Sequence, residues 1–243
     1  MNNQKFWKKR AEKYNKLNWV NEPEYIHYII KHSDLKKTDY VLDVGTGTGV
    51  IANAVAPLVK NIVGLDISKD MAKQNKWKDN KYFIVADIKD IPCDDNRINK
   101  VIARMVFHHI TEDTQKAMDE CYRVLKKGGK MILVEGVPPH HSVRREYEEI
   151  FKLKEDRLVF DTKDLINLMK YSGFNTVDAY EYKMKRFSVS NWLINSGLSK
   201  TKQKKILRLH FRGSANFKRN YNMKVMNGEC LIDVKYVIVV GTK

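Results

Sequence analysis

The chain has 243 residues, 45 Lys+Arg against 29 Asp+Glu, a formal net charge of +16 and a pI near 9.6. With 43% hydrophobic and 10% aromatic residues it is not a disordered chain, and it has no apolar run of about eighteen residues to span a membrane. The charge favours an anionic partner, whether nucleic acid, a membrane surface or an acidic small molecule.

The start, MNNQKFWKKR, runs into a charged amphipathic pattern with no apolar h-region, so no secretory signal is expected. Over 4–17, Phe6, Trp7, Arg10, Tyr14 and Leu17 recur at helical spacing. Asn21 as N-cap, with Pro23 in the first turn, predicts a second helix over about 22–33. Strands follow at 40–44, 61–66, 81–87, 99–104 and 130–136. Helices lie between them at 49–59, 68–77 and 111–125, the last capped by Thr111 and closed by Gly128 and Gly129. Strands that read as continuous apolar runs between helices predict a parallel sheet covered on both faces.

Beyond Pro138-Pro139 the alternation weakens. Helices are expected at about 142–153 and 161–172, a strand at 174–184, and helical segments at 188–197 and 199–217. Two β runs, 221–225 and 229–240, meet at Asn227-Gly228, a hairpin signal. Between Glu181 and Glu229 there is no acid, but there are twelve basic residues: Lys183, Lys185, Arg186, Lys200, Lys202, Lys204, Lys205, Arg208, Arg212, Lys218, Arg219 and Lys224. That stretch reads as an insertion between the last strands of one sheet. Cys93, Cys121 and Cys230 lie far apart without a CxxC pair, which argues against a disulfide framework or a structural zinc site. A reducing, cytoplasmic compartment is the expectation.

The residues richest in chemistry are Asp43-Val-Gly45-Thr46-Gly47-Thr-Gly49, between the first strand and its helix. Such a loop lets a ligand approach the backbone, and the helix N-terminus favours hydrogen-bond acceptors. The dinucleotide fingerprint G-x-G-x-x-G/A is not met, because Val50 occupies the last position. Asp43 would sit poorly against a pyrophosphate and well against a cationic or amino-bearing ligand. Asp66 ends the second strand 21 residues after Gly45, placed to accept from both ribose hydroxyls, and Asp87 ends the third. A single aspartate after a strand is commonly a helix cap; three in order behind a glycine loop form a ligand pattern.

With these motifs in view, VLDVGTGTGV, VGLDIS, VADIKDIP, VIARMVFHHI and RVLKKGGKMILVEG resemble the consecutive motifs of class I S-adenosylmethionine-dependent methyltransferases. The chain is most similar to the small-molecule enzymes around the ubiquinone/menaquinone C-methyltransferases, well over about 5–136 and by architecture beyond. The resemblance implies an α/β, Rossmann-like, seven-stranded and mostly parallel sheet with a reversed last strand and helices on both faces. It implies one domain over 1–243: a helical lid at 1–36, a cofactor-binding core at 37–136, and a substrate-side half at 137–243 with a basic helical insertion at about 187–220. The cofactor is then S-adenosyl-L-methionine. Gly45, Thr46, Gly47 and Gly49 would line its methionine end with Asp43 orienting the loop, Asp66 and Ile67 would hold the ribose, and Asp87 and Ile88 the adenine. Arg104 joins the cofactor set, and the segment FWKKRAEKY adds Tyr14 and Arg10 as the lid's aromatic and basic residues.

The acceptor is less determined. A methyl displacement needs a base only when the acceptor carries a proton. His108 and His109, after the fourth strand, are the candidates for catalysis, since imidazole titrates near neutral pH. The Asn/Asp-Pro-Pro-Tyr/Phe motif of amino-group methylation is absent, and no acid cluster suggests a metal. His141, Arg208, His210 and Arg212 are the candidates for substrate binding, the arginines because a planar guanidinium grips carboxylate or phosphate. The favoured expectation is O-methylation of a small anionic metabolite, bearing a phosphate, phosphonate, phosphoramidate or carboxylate. RNA modification through the basic face, and cofactor binding without catalysis, remain open. No membrane insertion is expected, and the oligomeric state is unassigned.

Overall fold

In the computed structural model, which describes residues 3–243, Trp7 belongs to α1 (Asn3–Tyr14). The side chains of residues 3–6 and Lys9, and with them the contact expected of Phe6, lie outside the described residues. There follow α2 (Pro23–Ser33), β1 (Tyr40–Val44), α3 (Val50–Val55), β2 (Asn61–Asp66), α4 (Lys69–Ala72), β3 (Lys81–Val85) and β4 (Ile98–Arg104). Then come α5 (Thr114–Val124), β5 (Leu125–Val137), α6 (Arg144–Lys154), α7 (Thr162–Tyr171) and β6 (Thr176–Ser188). Helices α8 (Val189–Ile194), α9 (Lys200–Arg212) and α10 (Ala215–Asn220) separate β6 from a closing hairpin of β7 (Lys224–Met226) and β8 (Glu229–Thr242).

Side chains alternate across a strand, and here both faces are apolar. Leu42, Val44, Val101, Ala103, Met131 and Leu133 join the cluster completed by Met118 and Cys121 of α5 and Leu165 and Met169 of α7. Val41, Ile102, Ile132 and Val134 join the opposite cluster, with Tyr25 and Ile29 of α2 and Ile51 and Val55 of α3. A third cluster packs α6, α8, α9 and α10 onto β8 through Ile150, Leu193, Ile206, Phe217 and Ile232.

The sheet order is β3-β2-β1-β4-β5-β8-β6, with the short β7 clipped to β8. Neighbours are parallel as far as β5, and β8 runs antiparallel to both β5 and β6. This is the mostly parallel α/β sheet with one reversed strand. Strand order reverses between β1 and β4, so a crevice opens beyond their carboxyl ends, where ligands bind in open α/β sheets. The hairpin turn has Asn227 at φ 51° and Gly228 at φ 76°, the paired positive values of a type I′ turn.

Several boundaries differ from the sequence expectation. Glu22, not Asn21, precedes α2, because Asn21 ends a 3₁₀ turn over Asn18–Asn21. The helix expected over 68–77 stops at Ala72, whose carbonyl accepts from the Trp77 indole at 2.9 Å. Asp113, not Thr111, precedes α5. Gly128 and Gly129 lie within β5 rather than ending a helix. The segment 199–217 breaks at Gly213, and the Ser214 hydroxyl accepts from Phe217 N–H to start α10. No helix among the described residues is long and apolar enough to cross a membrane.

Candidate active site

The loop leaving β1 carries Gly45 at φ +64° and Gly49 at φ +74°, a region that L side chains rarely adopt. A Cβ on Gly45 would stand 2.3 Å from Val106 Cγ2, in the segment leaving β4. The loop is pinned from behind: Thr46 Oγ1 donates to Asp43 Oδ2 at 2.6 Å. Gly47 N–H and Ser68 N–H donate to the two Asp66 oxygens, each at 2.8 Å. Burial pushes the Asp43 carboxyl up to about 7. Gly45→Ala is expected to cost about 1–3 kcal/mol in backbone strain alone. Each kcal/mol should lower the melting temperature by roughly 2–4 °C in a thermal melt, and an unchanged melting temperature would remove the close approach from the account.

In front of this loop lies a first cavity of about 310 Å³. Gly45, Gly47, Asp66 and Ile67 line one part, Asp87 and Ile88 another, and Tyr14 and Arg104 a third. Eight of the residues expected at a cofactor thus share one cavity. Asp43, Thr46 and Gly49 do not line it; the first two shape the loop from behind. The cavity suits a nucleoside with a flexible polar tail: a cradle too tight for a Cβ, and a half-buried carboxylate with a second acid one strand on. Arg104 is buried over the Trp19 ring at 5.7 Å and donates to Val20 O at 2.9 Å.

A second cavity, of about 100 Å³, adjoins it. Trp7, Tyr14, Met105, His109 and Glu155 belong to the walls of both. His108 lines only the second, held in a 3₁₀ turn (Phe107–His109) against the end of β5. Its Nδ1 is 2.6 Å from Glu135 Oε2, while Oε1 of the same carboxylate accepts from Val106 N–H and His108 N–H at 3.1 and 3.3 Å. Glu135 is fully buried, and burial raises its carboxyl to about 7. Burial holds both imidazoles well below their ordinary value, so they are neutral near pH 7. A carboxylate on Nδ1–H fixes the tautomer and leaves Nε2 with the lone pair. Glu135 did not emerge from the motif reading; its signal was an acid inside the apolar run KMILVEG.

Arg10 lines the second cavity and not the first: its Nη1 pairs with Glu155 Oε2 at 3.0 Å and its Nε donates to Ser196 O. Lys154 Nζ stands 2.5 Å from Glu155 Oε1, and burial pushes the ammonium down to about 7. His108, His109 and Glu155 bring one possible ligand atom each within 4.8 Å of one another. Glu155 is already held between cations, however, which repel a metal ion.

The expected substrate residues divide. His210 is buried and lines the second cavity, with Nδ1 2.9 Å from Ile206 O. Arg208 and Arg212 are exposed and line neither cavity. Helix α9 turns Ile206 and His210 inward, and at about 100° per residue positions 208 and 212 fall on the opposite side. His141 is also exposed and outside both cavities, because the chain turns outward after Pro138-Pro139. None of these three thus shares a cavity wall with His108 or with the glycine loop.

A family model described as a methyltransferase domain matches residues 42–133. The uncharacterized methyltransferase YcgJ of Bacillus subtilis is 31% identical over 60% of this chain and 60% of its own length, so the match spans under two thirds of that relative. The crystal structure of YcgJ superposes with a TM-score of 0.80 at 20% identity, covering 90% of this chain and 98% of that one. The uncharacterized protein MJ1123 of Methanocaldococcus jannaschii is 33% identical over 70% of this chain and 82% of its own. A ubiquinone/menaquinone biosynthesis C-methyltransferase, UbiE of Geobacter sp., is 31% identical over 64% of this chain and 65% of its own.

Proposed function

We propose that the chain is a class I S-adenosylmethionine-dependent methyltransferase and that it methylates an oxygen of a small acidic metabolite held in the second cavity. The observation that carries this reading is the buried His108–Glu135 pair in a cavity sharing a wall with the one that fits the cofactor. When bound, the cofactor supplies a methyl group on a positively charged sulfur. The loop at Gly45 and Gly47, with Asp66, Ile67, Asp87 and Ile88, would hold it, and Tyr14 and Arg104 would close over it. His108 Nε2 accepts the acceptor's hydroxyl proton, and Glu135 accepts Nδ1–H and stabilises the imidazolium that forms. His109 and Trp7, in edge contact at 4.8 Å, stand where the two cavities meet and would exclude water there.

One observation favours a second reading, modification of RNA. All twelve basic residues of 182–228 are exposed, and none ion-pairs with a carboxylate among the described residues. Against it, none of the twelve lines either cavity. Both readings meet in one assay, in which methyl-labelled cofactor is offered with a metabolite panel and, separately, with bulk tRNA over a range of salt. Label is expected in small anionic metabolites, with NMR of the product placing the methyl on oxygen rather than carbon. Salt-sensitive label in RNA would favour the second reading, and label only in neutral or cationic metabolites would remove the acidic acceptor.

A further inference from the structure

One wall of the second cavity carries a buried guanidinium that is only partly satisfied. Arg157 lies on the segment between α6 and α7 and lines this cavity but not the first. Its side chain is 2% exposed, yet Nη2 is buried with no hydrogen-bond partner. The rest of the guanidinium is well fixed: Nε donates to Leu158 O at 3.1 Å and the group lies over the Phe151 ring at 4.3 Å. Lys154, the last residue of α6, has a side chain 7% exposed and likewise lines only the second cavity. Among the described residues, Glu155 is the one carboxylate that ion-pairs with either, and it does so through a single oxygen, at 2.5 Å from Lys154 and 3.8 Å from Arg157. Its other oxygen is taken by Arg10.

A buried guanidinium with only a distant counter-ion is costly, and a guanidinium nitrogen left without an acceptor adds to that cost. Such an arrangement persists when a ligand completes it. The neighbouring Glu135 does not complete it, because both of its oxygens are engaged by the turn that carries His108. The segment is tied to that turn by Leu158 N–H donating to His108 O at 2.9 Å, so Arg157 and the imidazole are set in one frame.

We propose that Arg157 and Lys154 form an anion subsite in the second cavity, taking a carboxylate or phosphate oxyanion of the acceptor and thereby presenting its hydroxyl to His108. This rests on the methyl-transfer reading and replaces the exposed arginines of α9 with a buried pair. The planar fork of Arg157 supplies direction, and Lys154 adds a movable charge.

The test uses the full chain saturated with S-adenosylhomocysteine and titrated with sodium acetate, or with inorganic phosphate, against sodium chloride at matched ionic strength. Thermal melting and calorimetry are the readouts. Wild-type protein is expected to bind one of the two saturably, and the one that saturates marks the acceptor's anion as carboxylate or phosphate. Arg157→Gln is expected to weaken that binding about 10- to 100-fold, and Arg157→Lys, which keeps the charge without the fork, to recover part of it. Lys202→Gln, on the exposed side of α9, should leave it unchanged. If Arg157→Gln melts too low to titrate, Lys154→Gln reads the same way. Absence of saturable binding to wild type, or equal binding in the Gln variants, overturns the subsite. Failure of wild type to bind S-adenosylhomocysteine would instead overturn the methyltransferase reading and leave the charge arrangement to be explained otherwise.

Discussion

Glu135→Gln is expected to lower turnover by roughly 10²- to 10⁴-fold, the range of a positioned general base, with cofactor affinity unchanged. The substitution is nearly isosteric, and its effect follows from the two backbone donors. Val106 N–H and His108 N–H both point at one oxygen of residue 135, so a glutamine must keep its carbonyl there. Its NH₂ then faces His108 Nδ1, 2.6 Å away in the wild type, and donates where the carboxylate accepted. The imidazole is driven to the other tautomer, with its proton on Nε2 and no lone pair for the acceptor. His108→Gln should fall in the same range by removing the base itself. The wild type should show the same chemistry as a pH effect. Glu135 takes up a proton as pH falls through about 7, donates it toward Nδ1 and so disarms Nε2; activity should therefore fall below that pH. Turnover measured across pH, together with calorimetry of S-adenosylhomocysteine, checks both parts. A Glu135→Gln enzyme of wild-type activity would remove the dyad from the mechanism.

Much of the first cavity was legible because its signals are local. A glycine loop needs positive φ at fixed positions, and the acids at successive strand ends fall at predictable distances once the strands are recognised. The sheet was legible for the same reason: Leu42, Val101 and Met131 sit in apolar runs long enough to be buried on both faces. The second cavity was not. Lys154, Glu155 and Arg157 occur in KLKEDR, which reads as a solvated helix end, and it is contact with Arg10 of α1, Phe151 of α6 and Trp192 of α8 that takes them out of water. Arg208, His210 and Arg212 looked like a cluster because they are neighbours in sequence. Helical periodicity puts His210 on the wall and the two arginines in solvent. The excess charge was thus a poor guide to the site, since the twelve basic residues of 182–228 are exposed and line neither cavity.

Asp66 carries the largest effect expected on the cofactor itself. Its two oxygens already accept from Gly47 N–H and Ser68 N–H, one each, at 2.8 Å. Each oxygen retains a lone pair, so the same carboxylate that fixes the glycine loop can accept from the two ribose hydroxyls. Hydrogen bonds to a charged group are worth about 1.5–3 kcal/mol each, so losing both should weaken S-adenosylhomocysteine by about 10²-fold or more. Asp66→Ala is therefore expected to bind at least that much more weakly. Asp66→Asn should recover little, because the amide has one acceptor oxygen for two backbone donors and must turn its NH₂ toward Gly47 or Ser68. Asp87 is the internal comparison. It lies two residues beyond β3, exposed, and its side chain accepts from Lys89 N–H. With no loop depending on it, Asp87→Asn should cost about tenfold or less. Calorimetry on the three variants, with circular dichroism to confirm the fold, reads the order directly. If Asp66→Asn and Asp87→Asn bind equally well, the ribose is held by something other than the carboxylate at the end of β2.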